Sequence, residues 1–205
     1  MKINAVISKS SVNVDSTYKS AIISAITIAV GIIFGAIICI LSKDNLNSSL
    51  VEYFINFSTD FSNKNKPEIL SGIILSHIPY FIMMIIFGTS VVGTPAVILL
   101  TNIKSMGIGL LTTYIYSSFS LKGIEYCLLV MFPGKFILIF AMILLTQSCF
   151  VTSNDIIQRL KNKEGRVVSL EKFAVRSILI FGLIILSALI DFLANISFSS
   201  LFNFT

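Results

Sequence analysis

The stretch from Gly88 to Gly109 reads Gly-Thr-Ser-Val-Val-Gly-Thr-Pro-Ala-Val-Ile-Leu-Leu-Thr-Asn-Ile-Lys-Ser-Met-Gly-Ile-Gly. Glycine, proline and one lysine interrupt a long apolar sequence there. A helix that only spans a membrane would consist of leucine, isoleucine and valine, because an intramembrane lysine and an unbonded backbone carbonyl are both costly away from water. We therefore expect this stretch to pack against other parts of the protein or to line a hydrated space.

The composition around this stretch is that of a membrane protein. The chain has 205 residues, of which 55% are hydrophobic and 12% are charged, and its mean hydropathy is +0.92. The apolar residues form blocks long enough to cross a bilayer, which takes about 20 residues each. The sequence predicts an all-α, polytopic transmembrane helical bundle, with a single transmembrane domain over residues 21–196.

The charges argue against nucleic-acid binding, although the net charge is +5. The basic residues lie at the ends of apolar blocks, where they set membrane orientation. The outer segment 42–67 is slightly acidic and the segment 151–176 is basic, so an odd number of crossings must separate them. About five spans satisfy this condition, with the N-terminus cytoplasmic and the C-terminus outside. The predicted spans are 21–41, 69–92, 95–116, 123–147 and 173–194.

The remaining parts of the chain follow from this topology. Residues 1–20 are predicted to be a loosely ordered cytoplasmic tail, residues 151–176 a cytoplasmic basic loop, and residues 197–205 an outer tail. A six-span version would place the basic loop outside, against the positive-inside rule. A re-entrant third segment is an alternative to a complete third span.

The outer segment carries apolar residues at helical spacing, among them Phe54, Phe57 and Phe61. This spacing predicts an amphipathic helix. Such a helix either lies on the outer membrane surface or binds a partner, and the sequence leaves both alternatives open. In the first span, Gly31 and Gly35 form a small-xxx-small pattern that allows two helices to approach closely. We interpret that pattern as packing within the chain in preference to a dimer interface.

No combination of residues predicts catalysis. The Gly88 to Gly93 turn superficially resembles a nucleophilic-serine turn, and His77 precedes it, but our topology places Ser90 at the inner face and His77 in the outer half of the same helix. The sequence lacks a zinc motif and a phosphate-binding loop, and its three cysteines have no metal-binding or redox spacing. We predict no enzyme activity, no metal and no cofactor, and we interpret His77 as a packing residue.

Two lysines are predicted near the middle of the membrane. Lys104 lies in the third span, and Lys135 follows Pro133 and Gly134 in the fourth. Neither has an acid near it in its own span, since Glu125 and Asp191 are predicted toward the outer end. Either the lysines line a path for an anion or substrate, or each one snorkels or bonds to carbonyls freed by Pro133 and the glycines. The polar residues predicted to hydrogen-bond locally are Ser90, Asn102, Ser105 and Gln147.

One arrangement of these residues resembles a known family. Gly88-x-Ser90-x-x-Gly93-x-Pro95, followed by eight residues, Lys104 and then Gly109, is similar to the central motif of the stage II sporulation protein M family. The resemblance covers residues 21–194 and includes an early Gly-Ile-Ile-Phe-Gly-Ala span and the fourth span interrupted at Pro133. The chain departs from the family pattern at Ser105, where glycine is usual, and at Leu110, where phenylalanine is usual.

The resemblance implies a non-enzymatic, multi-pass protein of the bacterial cell membrane. It implies a role at the septum of endospore-forming bacteria during engulfment, as an anchor for peptidoglycan hydrolases. The partners implied are therefore the lipid bilayer and membrane-associated hydrolases. The alternative function is that of a membrane component of a transporter or exporter, with a path lined by the intramembrane lysines.

Overall fold

The computed structural model describes residues 2–42, 66–161 and 170–198, with side chains from Tyr18 onward in the first of these ranges. The described residues form helices joined by short turns, and no strand occurs among them. The predicted outer amphipathic helix, with Phe54, Phe57 and Phe61, lies outside the described residues, as does the tail after Phe198. The prediction of an all-α membrane bundle is confirmed.

The described residues form five α-helices and one π-helical segment. They are α1 (Lys2–Leu41), α2 (Lys66–Gly88), α3 (Gly93–Tyr126), the π segment (Cys127–Met131), α4 (Phe132–Lys161) and α5 (Leu170–Phe198). Four stretches in the described residues are long and apolar enough to cross a membrane: Tyr18–Leu41, Pro67–Gly88, Gly93–Leu160 and Glu171–Phe198.

The third of these stretches, 68 residues long, folds back on itself. At Ser120 the backbone leaves the helical conformation, with φ 50° and ψ −126°. On either side of it, Thr101 Oγ1 lies 3.0 Å from Thr146 Oγ1 and Thr94 Oγ1 lies 3.3 Å from Ser153 Oγ. These contacts pair early residues with late ones in reverse order, so the two arms, 93–119 and 121–161, are antiparallel. Each arm exceeds the length needed for one crossing.

The hairpin explains why about five predicted crossings correspond to four candidate stretches. The hairpin lies between the predicted third and fourth spans, 95–116 and 123–147, and the helix continues through it, so the two arms form one candidate stretch. The contacts between helices give the other directions. α1 runs parallel to α3, since Gly31 meets Asn102 and Gly35 meets Met106.

From α2 onward, helices that follow one another in the chain are antiparallel. Met84 of α2 contacts Thr101 of α3, whereas the earlier Ser76 contacts the later Lys104. In the same way α5 runs antiparallel to the chain around α4. Lys135 binds Asp191, whereas the earlier Tyr126 bonds to the later Asn195. Five arms, namely α1, α2, the two arms of the hairpin and α5, therefore alternate in direction along the chain. Tyr18, where the membrane part of α1 begins, lies on the other side of the bundle from the end of α5.

Helix α4 lies at the centre of the bundle and packs against each of the other four helices. Its buried residues recur every three or four positions, which places them on one face of the helix. They meet Ile28 of α1, Met84 of α2, Val97 of α3 and Ile184 of α5 in one apolar core. The buried α4 residues of that core are Leu138, Ala141, Met142, Leu145 and Cys149.

Two predicted boundaries differ from the structure. Residues 2–20, predicted to be a loosely ordered tail, continue the α1 helix. The basic segment 151–176, predicted to be a loop, is helical up to Lys161 and again from Leu170. Hydropathy marks where a chain leaves the bilayer, but a helix satisfies its own backbone hydrogen bonds and can continue into water beyond that point.

Candidate functional site

The glycine motif forms the turn between α2 and α3. After α2 ends at Gly88, the Ser90 amide donates to the Phe87 carbonyl at 3.0 Å, and the Gly93 amide donates to the Ser90 carbonyl at 3.1 Å. Helix α3 begins at Gly93, so Pro95 lies in its first turn. Proline is well placed there because the first amides of a helix have no partner inside the helix. The motif thus reverses the chain within a few residues.

The two glycines of this turn allow the backbone to pack closely. A β-carbon at Gly88 would lie 2.6 Å from Cys149 Sγ, and a β-carbon at Gly93 would overlap the Phe87 carbonyl and lie 2.9 Å from Ser153 Oγ. Both positions are buried. Small residues permit this kind of close contact between membrane helices. Gly88 therefore fits α2 against α4, and Gly93 fits the start of α3 against both.

Helix α4 also binds the turn through Ser153, a residue that the sequence analysis did not single out. Its hydroxyl donates to the Ser90 carbonyl at 3.1 Å and lies 3.3 Å from Thr94 Oγ1. Ser153 is fully buried. The sequence signal for it is weak, since one serine near the end of a span is common. The Ser90 side chain stays within the turn, where its Oγ accepts from the Val92 amide at 3.3 Å.

The other motif glycine, Gly109, contacts α1. We expected Gly88, Gly93 and Gly109 to allow the second, third and fourth spans to approach closely, but a β-carbon at Gly109 would overlap the Ile32 carbonyl of α1. The contact is reciprocal, because a β-carbon at Gly31 would overlap Ser105 Oγ and one at Gly35 would overlap the Met106 carbonyl. The Gly31 and Gly35 pattern is thus used for packing within the chain. The serine that replaces the usual glycine after Lys104 faces Gly31.

Ser90 and His77 do not come together. His77 lies near the midpoint of α2 and Ser90 lies in the turn after it, thirteen positions later, which corresponds to roughly 20 Å along a helix axis. A general base must lie within hydrogen-bonding distance of the hydroxyl that it activates. This geometry does not support a serine hydrolase at the turn. Among the described residues, no group of three or more histidine, cysteine, aspartate or glutamate residues could hold a metal ion.

Lys104 connects α3 to α2. Its Nζ donates to the Ser76 carbonyl at 3.3 Å and lies 5.9 Å from the centroid of the Tyr80 ring. The bond to a carbonyl agrees with one of our two alternatives. The Ser76 carbonyl belongs to α2 and lies close in sequence to Pro79 inside that helix. The sequence analysis had named carbonyls near Pro133 and the glycines instead. Ser105 Oγ donates to the Thr101 carbonyl at 2.8 Å, and Asn102 lies beside Gly31 of α1.

Lys135 has an acidic partner that the sequence analysis did not assign to it. Its Nζ lies 2.9 Å from Asp191 Oδ2, although 56 positions separate the two residues in the chain. An acidic partner was not among the alternatives that the sequence analysis considered for Lys135. The Asp191 side chain is 6% exposed and that of Lys135 is 23% exposed. An ion pair in this setting joins α4 to α5, and removal of one partner would leave a buried charge.

The residues next to Lys135 complete this contact. A β-carbon at Gly134 would overlap Asp191 Oδ1, so the absence of a side chain there makes room for the carboxylate. The Gly134 carbonyl accepts a hydrogen bond from Ser187 Oγ at 2.9 Å. Asn195 Nδ2 donates to the Asp191 carbonyl at 2.7 Å. Tyr126 then donates to Asn195 Oδ1 at 3.2 Å.

The chain enters α4 through the π segment Cys127–Met131, which immediately precedes Phe132 and Pro133. A π turn holds one extra residue per turn, and such turns are frequent at functional sites. Pro133 has no amide hydrogen to donate to the preceding turn. The predicted interruption of the fourth span at Pro133 is therefore a change of helix type directly before the Lys135 ion pair.

His77 is the most buried ionisable residue of α2, with 4% exposure. Within the part of the chain that the structure describes, neither of its ring nitrogens has a hydrogen-bond partner. Its burial agrees with our interpretation of a packing residue, but packing does not account for two unpartnered nitrogens, because buried polar atoms are almost always hydrogen-bonded.

Comparison with known families identifies this arrangement of helices. The family model described as Stage II sporulation protein M matches residues 24–193. The chain belongs to the stage II sporulation protein M family. Neither the curated proteins nor the solved structures gave a match.

The match to the stage II sporulation protein M family begins within α1 and ends within α5, so it includes all five arms. It also includes the glycine turn, the Lys104 contact and the Lys135–Asp191 pair. In this member of the family, Gly88 and Gly93 of the glycine motif place α2, α3 and α4 against one another, and Gly109 places α3 against α1. The protein is thus a sporulation-family membrane protein with apolar helices.

Proposed function

We propose that this protein is an integral membrane scaffold that anchors peptidoglycan hydrolases at the septal membrane during endospore engulfment. Membership of the stage II sporulation protein M family is the observation that carries the proposal. The orientation that we propose has a cytoplasmic N-terminus and an outer C-terminus. The basic residues of segment 151–176 support this orientation under the positive-inside rule.

The contacts of the motif residues support a scaffold in preference to an enzyme. Gly88, Gly93 and Gly109 each lie where a side chain would overlap a neighbouring helix. Ser90 and Ser153 are occupied in closing the α2–α3 turn. A scaffold requires a rigid set of membrane helices and a surface for its partner, and it requires no reactive group.

The alternative function, transport along a path lined by lysines, receives less support from the side-chain contacts. Lys135 is neutralised by Asp191, and Lys104 is bound to the Ser76 carbonyl and the Tyr80 ring. Each lysine thus joins a different pair of helices. A path for a substrate would need both lysines to face a shared hydrated space.

The partner surface that we propose lies in the outer segment 42–67, at Phe54, Phe57 and Phe61. These residues are spaced to share one helix face, and burial of apolar area contributes roughly 25 cal/mol per Å². An aromatic face exposed on the outer side would suit a hydrolase that acts on the cell wall. We therefore assign hydrolase binding to the outer segment, and the helical bundle holds that segment at the membrane.

The test is an affinity purification from sporulating cells of the source organism, with the wall hydrolases identified in the eluate. Changing Phe54, Phe57 and Phe61 together to serine is expected to abolish hydrolase retention while the protein remains inserted and abundant. Two matched controls should retain the hydrolases. Leu160→Ser removes an exposed apolar residue at the other end of the bundle, and Lys104→Met removes the intramembrane charge.

The outcomes separate the two functions. Loss of retention in the phenylalanine variant alone supports the anchor. If the wild-type protein retains an ATPase and no hydrolase, or if Lys104→Met removes the sporulation phenotype while the phenylalanine variant keeps it, the anchor proposal fails and transport becomes the better explanation.

A further inference from the structure

The surface between α2 and α3 carries a lysine in the middle of the membrane. Lys104 follows the start of α3 at Gly93 by eleven positions, roughly 16 Å along the axis, and the hydrocarbon core of a bilayer is about 30 Å thick. Its Nζ donates to the Ser76 carbonyl at 3.3 Å, and this contact is exposed on the outside of the bundle. The ammonium group therefore stays at mid-depth and does not extend to the membrane surface.

The charge of Lys104 is not balanced by the part of the chain that the structure describes. Inside the described spans, away from their ends, the charged side chains are Lys104, Lys135 and Asp191. Asp191 is bonded to Lys135 at 2.9 Å and its side chain is 6% exposed, so it is not available to Lys104. The Ser76 carbonyl and the Tyr80 ring offer only partial negative charge. An unpaired charge in a bilayer is costly, so an acidic group at this position would be strongly favoured.

The surface around Lys104 also permits the close approach of another helix. Gly72 lies one turn before Ser76 on the same face of α2, and Gly107 lies one turn after Lys104 on α3. Both glycines are exposed, and no atom lies within 4 Å of a β-carbon built at either one. Glycine and serine on the surface of a membrane helix allow a second backbone to come close.

We propose that the Lys104 surface, made by Gly72, Ser76, Lys104 and Gly107, binds a transmembrane helix of another protein that carries an aspartate or glutamate near its middle. The carboxylate of that helix pairs with the Lys104 ammonium, and the small residues let the two backbones approach. A second copy of this chain does not fit, because the one acid inside its described spans, Asp191, is buried in an ion pair. A lipid headgroup does not fit either, because headgroups lie at the membrane surface.

The inference does not depend on the anchoring function. Hydrolase retention is assigned to the outer segment and is expected to survive Lys104→Met, whereas the helix contact is expected to be lost in that variant. Failure of one proposal therefore leaves the other in place.

The test measures the binding of designed transmembrane peptides to the purified full-length protein in phosphatidylcholine vesicles at neutral pH. One peptide is a helix of about 20 alanine and leucine residues with a single glutamate at its centre, and the other has glutamine there. Energy transfer from a fluorophore on the peptide to an acceptor on the protein reports binding. We expect the glutamate peptide to bind about fivefold more tightly or better, because glutamine keeps the shape and the hydrogen bonding but lacks the charge.

Charge variants assign the preference for glutamate to Lys104. Lys104→Met should remove the preference, and Lys104→Arg should keep it because arginine retains the charge. Lys122→Met is the matched control, since it removes a lysine from an exposed position in the hairpin, and it should keep the preference. Equal binding of the two peptides to the wild type would overturn the proposal, as would an unchanged preference in Lys104→Met.

A pair of glycine variants tests the surface without altering any charge. Gly107→Leu fills the Lys104 surface, whereas Gly182→Leu places the same side chain on an exposed position of α5, and neither glycine has an atom within 4 Å of an added β-carbon. Gly107→Leu should weaken binding of the glutamate peptide severalfold, and Gly182→Leu should bind it as the wild type does. Equal binding by the two folded variants would show that the helix does not dock at Gly107.

Photo-crosslinking in the cells of the source organism distinguishes the possible occupants. A photoreactive residue replaces Ile103, which is 64% exposed and precedes Lys104. The adduct should contain a protein with an acid inside a transmembrane helix, and changing that acid to leucine should abolish the adduct. Adducts only with lipid or with a second copy of this chain would contradict the proposal, and so would an adduct that survives the change of the acid.

Discussion

The Asp191 carboxylate lies directly against the α-carbon of Gly134, and the same carboxylate binds Lys135, the next residue in the chain. Gly134 and Lys135 therefore both take part in the contact with Asp191. Gly134 makes room for the carboxylate, and Lys135 neutralises it. The Ser187 bond to the Gly134 carbonyl holds the two helices at this distance.

The closeness of Gly134 to Asp191 predicts a steric effect of a single methyl group. Gly134→Ala should destabilise the protein by about 1–3 kcal/mol, because overpacking forces side chains or backbone to move. The control is Gly182→Ala in α5, where no atom lies within 4 Å of a β-carbon. Circular dichroism melts in detergent would measure both variants. Equal melting temperatures of the two variants would contradict the contact.

The ion pair predicts a larger effect of removing one charge. Asp191→Asn leaves the charge of the partly buried Lys135 inside the membrane without its partner and should cost about 3–5 kcal/mol. The double variant Lys135→Met with Asp191→Leu should recover most of the loss, because an apolar pair leaves no buried charge. The free energy of unfolding in mixed micelles with increasing sodium dodecyl sulfate would compare them. A double variant no more stable than Asp191→Asn would show that the pair is not coupled.

The glycine turn predicts which glycines tolerate a large side chain. Gly93→Leu should lower the yield of folded protein, since a β-carbon there overlaps the Phe87 carbonyl. Gly107→Leu should not, because Gly107 is exposed and has no atom within 4 Å of the added carbon. The fraction that elutes as a single peak in size-exclusion chromatography is the readout. Full yield and unchanged melting of Gly93→Leu would mean that this position faces lipid.

The Ser120 backbone predicts a stabilising substitution. Ser120 has φ 50°, and it is the one residue other than glycine with positive φ in the described chain. Glycine adopts this conformation without steric cost, so Ser120→Gly should stabilise the protein by roughly 1 kcal/mol. Ser118→Gly, at an exposed helical position nearby, should destabilise it by roughly the same amount. Thermal melts would show opposite shifts. A decrease in both would argue against the hairpin conformation.

The alternation of the five arms predicts opposite membrane sides for two exposed leucines. Leu121 lies at the hairpin and Leu160 lies near the end of α4. In a background without Cys39, Cys127 and Cys149, an impermeant maleimide added to intact cells should label Leu121→Cys. It should label Leu160→Cys only after the cells are opened. The reverse pattern would invert the orientation that we propose, and labelling of both in intact cells would contradict an antiparallel hairpin that crosses twice.

Much of the architecture was predictable from the sequence. Hydropathy averaged over about 20 residues identified apolar blocks, because any residue inside a bilayer must be apolar or have a partner. The glycine and proline spacing from Gly88 to Pro95 identified a turn, since these residues permit or require particular backbone conformations. The same spacing led to the family, which the comparison confirmed.

The extent of the helices was less predictable. The sequence does not distinguish a helix that stops at the membrane surface from one that continues into water, as α4 does up to Lys161. It also gave no signal for the conformation of Ser120, because serine is an ordinary residue in a helix and rarely adopts positive φ.

The partner of each intramembrane lysine was decided by the tertiary structure alone. Hydropathy and spacing describe one helix at a time, and they showed Lys104 and Lys135 without acids in their own spans. Asp191 reaches Lys135 only because α5 runs antiparallel to α4 at the level where Gly134 lacks a side chain. Gly109 meets Ile32 of α1 for the same kind of reason. Which helix faces which depends on how small residues let backbones approach in three dimensions, and a one-dimensional pattern does not contain that information.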